Sequence, residues 1–181
     1  MPFDLQGKKG LVVGIANEHS IAWGCARAFR SAGAELAVTW PNDKARPFVE
    51  PLAHELHAPI QMPLDVEQNG QMEAVFDAIG DRWGRLDFLL HSIAFAPTAD
   101  LHGRVTDSSR EGFARAMDIS CHSFARMARL AEPLMKGGGS LLAAARAARA
   151  ARRRGDRQPA AGVHLRPRWP AGVPAFNRRV H

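Results

Sequence analysis

The chain has 181 residues, 46% of them hydrophobic, enough for one domain with a real core. It holds no run of 18 apolar residues, which argues against a membrane-spanning helix. Its two cysteines, Cys25 and Cys121, argue against a disulfide scaffold or a metal site, and both are expected to be reduced and buried. The net charge of +6 would fit a nucleic-acid binder, but fourteen basic residues face seventeen acidic ones in residues 1–142. The excess lies wholly in residues 143–181, with ten arginines against one acid, Asp156.

In chain order, Met1 to Lys9 is polar and charged and runs straight into an apolar segment. That is unlike a secretory signal, so a cytoplasmic location is expected. Lys9–Gly14 reads as a buried strand ending in glycine, because a continuous apolar run fits a strand covered on both faces. A helix follows over Ile21–Ala32, with Ala22, Cys25, Ala26 and Phe29 on one face and Gly33 as its stop. Glu35–Trp40 is a second strand, Phe48–Leu56 a helix and Ile60–Leu64 a third strand. Met72, Val75, Phe76, Ile79 and Trp83 fall at helical spacing. Leu86–Leu90 is a fourth strand, and one long helix is expected from Arg110 to Met135, its stripe formed by Phe113, Met117, Phe124, Met127, Ala131 and Leu134. Ser140–Ala143 would begin a fifth strand. Strands and helices alternate, which predicts an α/β fold: a Rossmann-type parallel sheet with helices on both faces, cut short after about the fifth strand.

Composition changes after Leu142. Alanine and arginine make up 21 of the last 39 residues, with scattered proline and glycine. Such a segment has few large apolar groups to offset the entropy of ordering it, so disorder is expected over residues 143–181. These residue types have GC-rich codons, and an out-of-frame reading of a GC-rich gene would produce them. The alternative is a natural basic tail that binds nucleic acid or an anionic lipid surface.

The turn between the first strand and first helix carries the chemistry. A dinucleotide needs a loop whose backbone can approach a pyrophosphate, opening a helix whose free N–H groups and dipole face the anion. Gly14-Ile15-Ala16-Asn17-Glu18-His19-Ser20-Ile21-Ala22-Trp23-Gly24 has that strand–turn–helix setting, without the usual G-x-G-x-x-G spacing. Gly14 permits the tight turn, Ser20 offers a hydroxyl to a phosphate or caps the helix, and Gly24 would allow close helix–strand packing. A βα turn with an N-cap serine and no ligand is the plainer reading.

The pattern Gly14-x-Ala16-x3-Ser20-Ile21-Ala22-x-Gly24 resembles the cofactor loop of the bacterial enoyl-acyl carrier protein reductases, divergent short-chain dehydrogenase/reductases. Asn42-Asp43-Lys44, Asp65-Val66, His91-Ser92-Ile93-Ala94-Phe95-Ala96-Pro97, Arg110-Glu111-Gly112-Phe113 and Asp118-Ile119-Ser120 extend the resemblance across residues 1–142. It implies NADH as cofactor, an enoyl-acyl carrier protein as substrate, reduction of trans-2-enoyl thioesters in fatty-acid biosynthesis, and a homotetramer. It also implies that Gly14, Ser20 and Ile21 touch the cofactor diphosphate and ribose, that Asp65 and Val66 flank the adenine, that Ile93 lines the nicotinamide-side ribose, and that Ala96 approaches the acyl substrate. His91 is expected to make a structural hydrogen bond and no catalytic one.

The sequence departs from the family in two places. Pro41 follows Trp40 where a glutamine is common, which puts part of the adenine contact in doubt. Asp43 is placed to reach a ribose hydroxyl or to be a solvated turn residue. Lys44 and Arg46 come too late to clasp a 2′-phosphate directly after the second strand, so NADH is preferred to NADPH. The family stabilises the developing enolate with a tyrosine, six residues before a lysine that holds the cofactor ribose. This chain has no tyrosine and no lysine after Lys136, so no catalytic residue is assigned and the chain is expected to be inactive. Two other readings stay open: a dinucleotide-binding module whose basic tail contacts nucleic acid or anions, and another short-chain dehydrogenase.

Overall fold

The structure, a computed structural model, describes residues 4–102 and 104–144. These lie within a unit spanning Met1–Arg146. The expected disorder of the tail falls outside the described residues from position 145 onward.

Five parallel strands form one sheet: β1 (Lys9–Val13), β2 (Glu35–Trp40), β3 (Ile60–Pro63), β4 (Phe88–His91) and β5 (Ser140–Ala143). Their spatial order is β3-β2-β1-β4-β5. The registers pair Leu11 with Ala37 and with Leu89, so one apolar row of three residues crosses the centre of the sheet. Strand side chains alternate between faces. Leu11, Val13, Ala37 and Leu89 therefore enter one core with Met72, Val75, Phe76 and Ile79 of α3 (Gln71–Trp83). Val12, Leu36, Val38 and Leu90 enter the opposite core with Ala22, Trp23 and Ala26 of α1 (Ile21–Ser31) and Val49 and Ala53 of α2 (Arg46–Glu55). Burial on both faces is why these strands read as continuous apolar runs.

The chain builds β1, β2 and β3 in one direction, then crosses to place β4 on the other side of β1. That reversal opens a crevice at the carboxyl ends of β1 and β4, where open α/β sheets receive ligands.

Three expectations need correction. The fourth strand starts at Phe88 and not at Leu86, because the Leu86 N–H is taken by the Leu134 carbonyl at 2.9 Å. Second, the single long helix is broken. α4 (Arg110–Met117) passes into one π-turn over Asp118–His122, then α5 (Ser123–Ala131), and a 3₁₀ turn containing Pro133 ends it. The wider π-turn shifts the helical phase. As a result Phe113 and Met117 are 62% and 44% exposed, while Met127 and Ala131 are fully buried. Third, Cys25 is half-buried and Cys121 exposed, so only the expectation of free thiols holds.

Leu89 is fully buried at the sheet centre, whereas Phe48 is 64% exposed. Leu89→Ala is expected to lower unfolding free energy by about 3 kcal/mol. Phe48→Ala should change it by less than about 0.5 kcal/mol. Urea titration followed by tryptophan fluorescence checks both.

Candidate functional site

Gly14 directly follows β1, in the left-handed region at φ 102°. An added Cβ there would lie 2.1 Å from the Ser92 carbonyl oxygen, so only glycine fits without displacement. The Ser92 N–H donates to the Val13 carbonyl at 2.9 Å, which draws the chain after β4 against the end of β1.

The following turn is held by hydrogen bonds of Asn17 and Ser20. Ser20 Oγ donates to the Asn17 carbonyl at 2.7 Å and accepts from the Trp23 N–H at 3.4 Å, capping α1. Ser20 is thus the helix cap that the plainer reading required, with the amino end of α1 behind it. Ile21 is 53% exposed at the helix start. Gly24 is exposed with open space where a side chain would stand, so the close packing expected of it is absent.

A cleft of about 430 Å³ runs across the strand ends. Gly14, Ile15 and Ala16 supply one wall from β1, and Ser92, Ile93, Ala94 and Phe95 supply another from β4. Thr39 comes from β2, Pro41 and Asn42 follow it, and Leu64, Asp65, Val66 and Glu67 follow β3. Ile119 enters from the π-turn. Gly14, Asp65, Val66 and Ile93 therefore converge in one place. Ser20 and Ile21 flank the cleft outside its lining, and Ala96 lies one residue beyond Phe95 and does not line it. Asp43 is exposed and also outside the lining, in keeping with a solvated turn residue.

Asp65 does two jobs. Its Oδ1 accepts from the Glu67 N–H at 3.0 Å, and its own N–H donates to Gln71 Oε1 at 2.8 Å, which shapes the entry to α3. Its Oδ2 has no partner among the described residues and is the oxygen left for a ligand. Pro41 sits in the lining and adds no donor, as its identity requires.

Both lips are braced by the helical segment behind them. Arg115 of α4 makes a two-pronged ion pair with Glu67, at 2.8 and 2.9 Å, and its guanidinium lies 4.8 Å from the centre of the Phe95 ring. This hydrogen-bonded arginine holds the Glu67 carboxyl below the usual range. Arg126 of α5 donates to the Val66 carbonyl at 3.0 Å. Ser120, in the π-turn, accepts from the Phe95 N–H at 3.0 Å and fixes the opposite lip.

His91 stands outside the lining, as expected. It is 2% exposed, and its Nε2 lies 2.7 Å from Ser123 Oγ. Ser123 gives its own proton to the Ile119 carbonyl at 2.6 Å, so the His91 Nε2–H is the donor to Ser123. The bond ties α5 to β4 behind the cleft.

Reasoning from sequence missed Thr39, Glu67, Phe95 and Ile119 as lining residues. Phe95 and Ile119 stood within the quoted motifs without a role, and Thr39 left a signal of its own, a lone hydroxyl in a strand buried on both faces. Among the described residues no group of three or more metal-ligating side chains occurs, and no helix is long and apolar enough to cross a membrane.

A family model described as enoyl-(acyl carrier protein) reductase matches residues 14–161. The chain belongs to that family. The NADH-dependent enoyl-[acyl-carrier-protein] reductase 1 of Rhizobium meliloti is 47% identical over 138 residues, covering 76% of this chain and 51% of that protein. The NADH-dependent enoyl-[acyl-carrier-protein] reductase of Synechocystis is 44% identical over 142 residues, covering 77% and 55%. Among solved structures, the reductase of Anaplasma phagocytophilum in complex with NAD superposes with a TM-score of 0.74 at 41% identity, over 77% of this chain and 53% of that one. The chain spans about half the length of the curated relatives it matches. The parallel Rossmann-type sheet is thus the fold of its reductase family.

Burial holds His91 below the ordinary histidine pKa of 6.5. The unfolded chain therefore binds the proton more readily than the folded one. The stability contributed by neutral His91 is complete above about pH 6.5 and lost as pH falls through the depressed folded value. His91→Asn should flatten the fall in melting temperature between about pH 7 and 5.5. An unchanged slope by differential scanning calorimetry would remove this role.

Proposed function

We propose that residues 1–142 bind NADH in this cleft as the dinucleotide-binding part of an NADH-dependent enoyl-acyl carrier protein reductase, with residues 143–181 outside that part. The observation that carries the reading is Gly14 pressed against Ser92, with the capped start of α1 beyond it. Main-chain N–H groups and the positive end of a helix then meet at the crevice between β1 and β4.

In this reading, Gly14 lets the backbone approach the diphosphate, and Ser20 and Ile21 form the ribose and phosphate edge. Asp65 Oδ2 accepts the exocyclic amine of the adenine, and Val66 and Ile93 give the rings apolar contact. When bound, reduced nicotinamide supplies a hydride for an enoyl thioester. Arg46, the first arginine after β2, is paired with Glu50 at 2.9 and 3.2 Å, which supports NADH over a 2′-phosphorylated cofactor. For the whole protein we propose trans-2-enoyl-acyl carrier protein as substrate, Ala96 near the acyl chain, a place in fatty-acid biosynthesis and a homotetramer.

The 181 residues include no tyrosine. The chain by itself therefore lacks the donor that the resemblance assigns to the enolate oxygen, and it is expected to bind without turnover.

Calorimetric titration with NADH is expected to give saturable binding. Gly14→Val should weaken it by at least about tenfold, with circular dichroism confirming that the variant folds. Asp65→Ala serves as a milder second variant, weakening binding by roughly threefold to tenfold. A folded wild-type sample with no NADH uptake at millimolar ligand would overturn the assignment. In a separate assay, NADH oxidation with crotonyl thioester should stay at the buffer rate, and turnover near that of an intact relative would refute the inactive state.

A further inference from the structure

β2 is covered on both faces, yet one of its inward positions carries a hydroxyl. Thr39 is 1% exposed, and its Oγ1 has no hydrogen-bond partner among the described residues. A buried polar atom left unpaired costs free energy, commonly about 1–3 kcal/mol. A valine of nearly the same shape would avoid that cost. Thr39 is a lining residue of the cleft already described, so a molecule bound there is the partner its hydroxyl lacks among the described residues.

The surroundings narrow the chemistry. Thr39 lies opposite Met62 in the β2–β3 register. Leu64, Val66, Ile93 and Ile119 line the same cleft, and the one carboxylate on this side that keeps an oxygen without a partner among the described residues is that of Asp65. Walls this apolar on the Thr39 side, with few polar groups to pair, fit a flat heteroaromatic base better than a sugar, whose several hydroxyls would be left unpaired.

Resting on the NADH-binding reading above, we infer that Thr39 is a specificity-determining residue for the adenosine half of the dinucleotide. Its hydroxyl donates to a ring nitrogen of the adenine, while Asp65 accepts the exocyclic amine. The two contacts are complementary: a hydroxyl can donate to a ring nitrogen, and an ionised carboxylate can only accept. Together they recognise the polar edge of one base. They also give Pro41 a context, since the base keeps two polar contacts without any side-chain donor from that position.

The test compares the full chain with Thr39→Val and Thr39→Ser, titrated with NADH and with ADP-ribose, which carries the adenosine and diphosphate but no nicotinamide. Thr39→Val should weaken both ligands by about tenfold. Thr39→Ser, which keeps the hydroxyl, should stay within roughly threefold of wild type. The unliganded melting temperature of Thr39→Val should equal or exceed that of wild type, because an unpaired buried hydroxyl has been removed. Unchanged NADH affinity in Thr39→Val overturns the inference. So does a loss seen with NADH but not ADP-ribose, or a loss that comes only with a fall in unliganded stability. If wild type itself takes up neither ligand, the binding reading fails and the inference with it.

Discussion

The close approach of Gly14 to Ser92 is the constraint on which the rest of the molecule turns. β1 can hydrogen-bond to β4 up to its last residue, and the chains can still part to form a crevice, only if no side chain stands at position 14. A left-handed glycine meets both conditions at once. Everything that makes the cleft a site follows from that turn: the route of residues 15–20, the place where α1 starts, and the direction its unpaired N–H groups face.

Two cores support this arrangement from opposite sides of the sheet. Helices α1 and α2 pack on one face, α3 and α5 on the other, so the strand ends are fixed by burial on both sides. The polar groups near the cleft perform separate tasks. Ser20 caps a helix, Asp65 shapes a turn while keeping one oxygen free of partners among the described residues, and the His91–Ser123 pair ties a helix to a strand. The histidine beside a serine here serves packing, because the pair is buried behind the cleft wall and Ser123 has already given its proton to a carbonyl.

Much of this was legible in the residues. β2 and β5 have the bounds their apolar runs imply, and α3 covers the span set by Met72 to Trp83. Gly14, Asp65, Val66 and Ile93, singled out by the family resemblance, line one cleft. The break at Asp118–His122 was not legible, because a π-turn costs only one backbone phase step and leaves the apolar pattern on either side intact. The role imagined for Gly24 failed for a different reason. A glycine in a helix is read equally as tight packing or as an exposed surface, and only the neighbours decide. Phe95 and Ile119 stood inside motifs but without a role, and with Glu67 they took one only when segments far apart in sequence were folded together, since each is an ordinary residue by type.

Arg115 touches Glu67 on one lip and Phe95 on the other, while Ser120 and Arg126, from the same helical stretch, hold those lips by their backbone. The two sides of the crevice consequently share a single strut. Slack introduced at either side is transmitted to its counterpart, so the aperture behaves as one mechanical part, with its width set by a rod that never enters it.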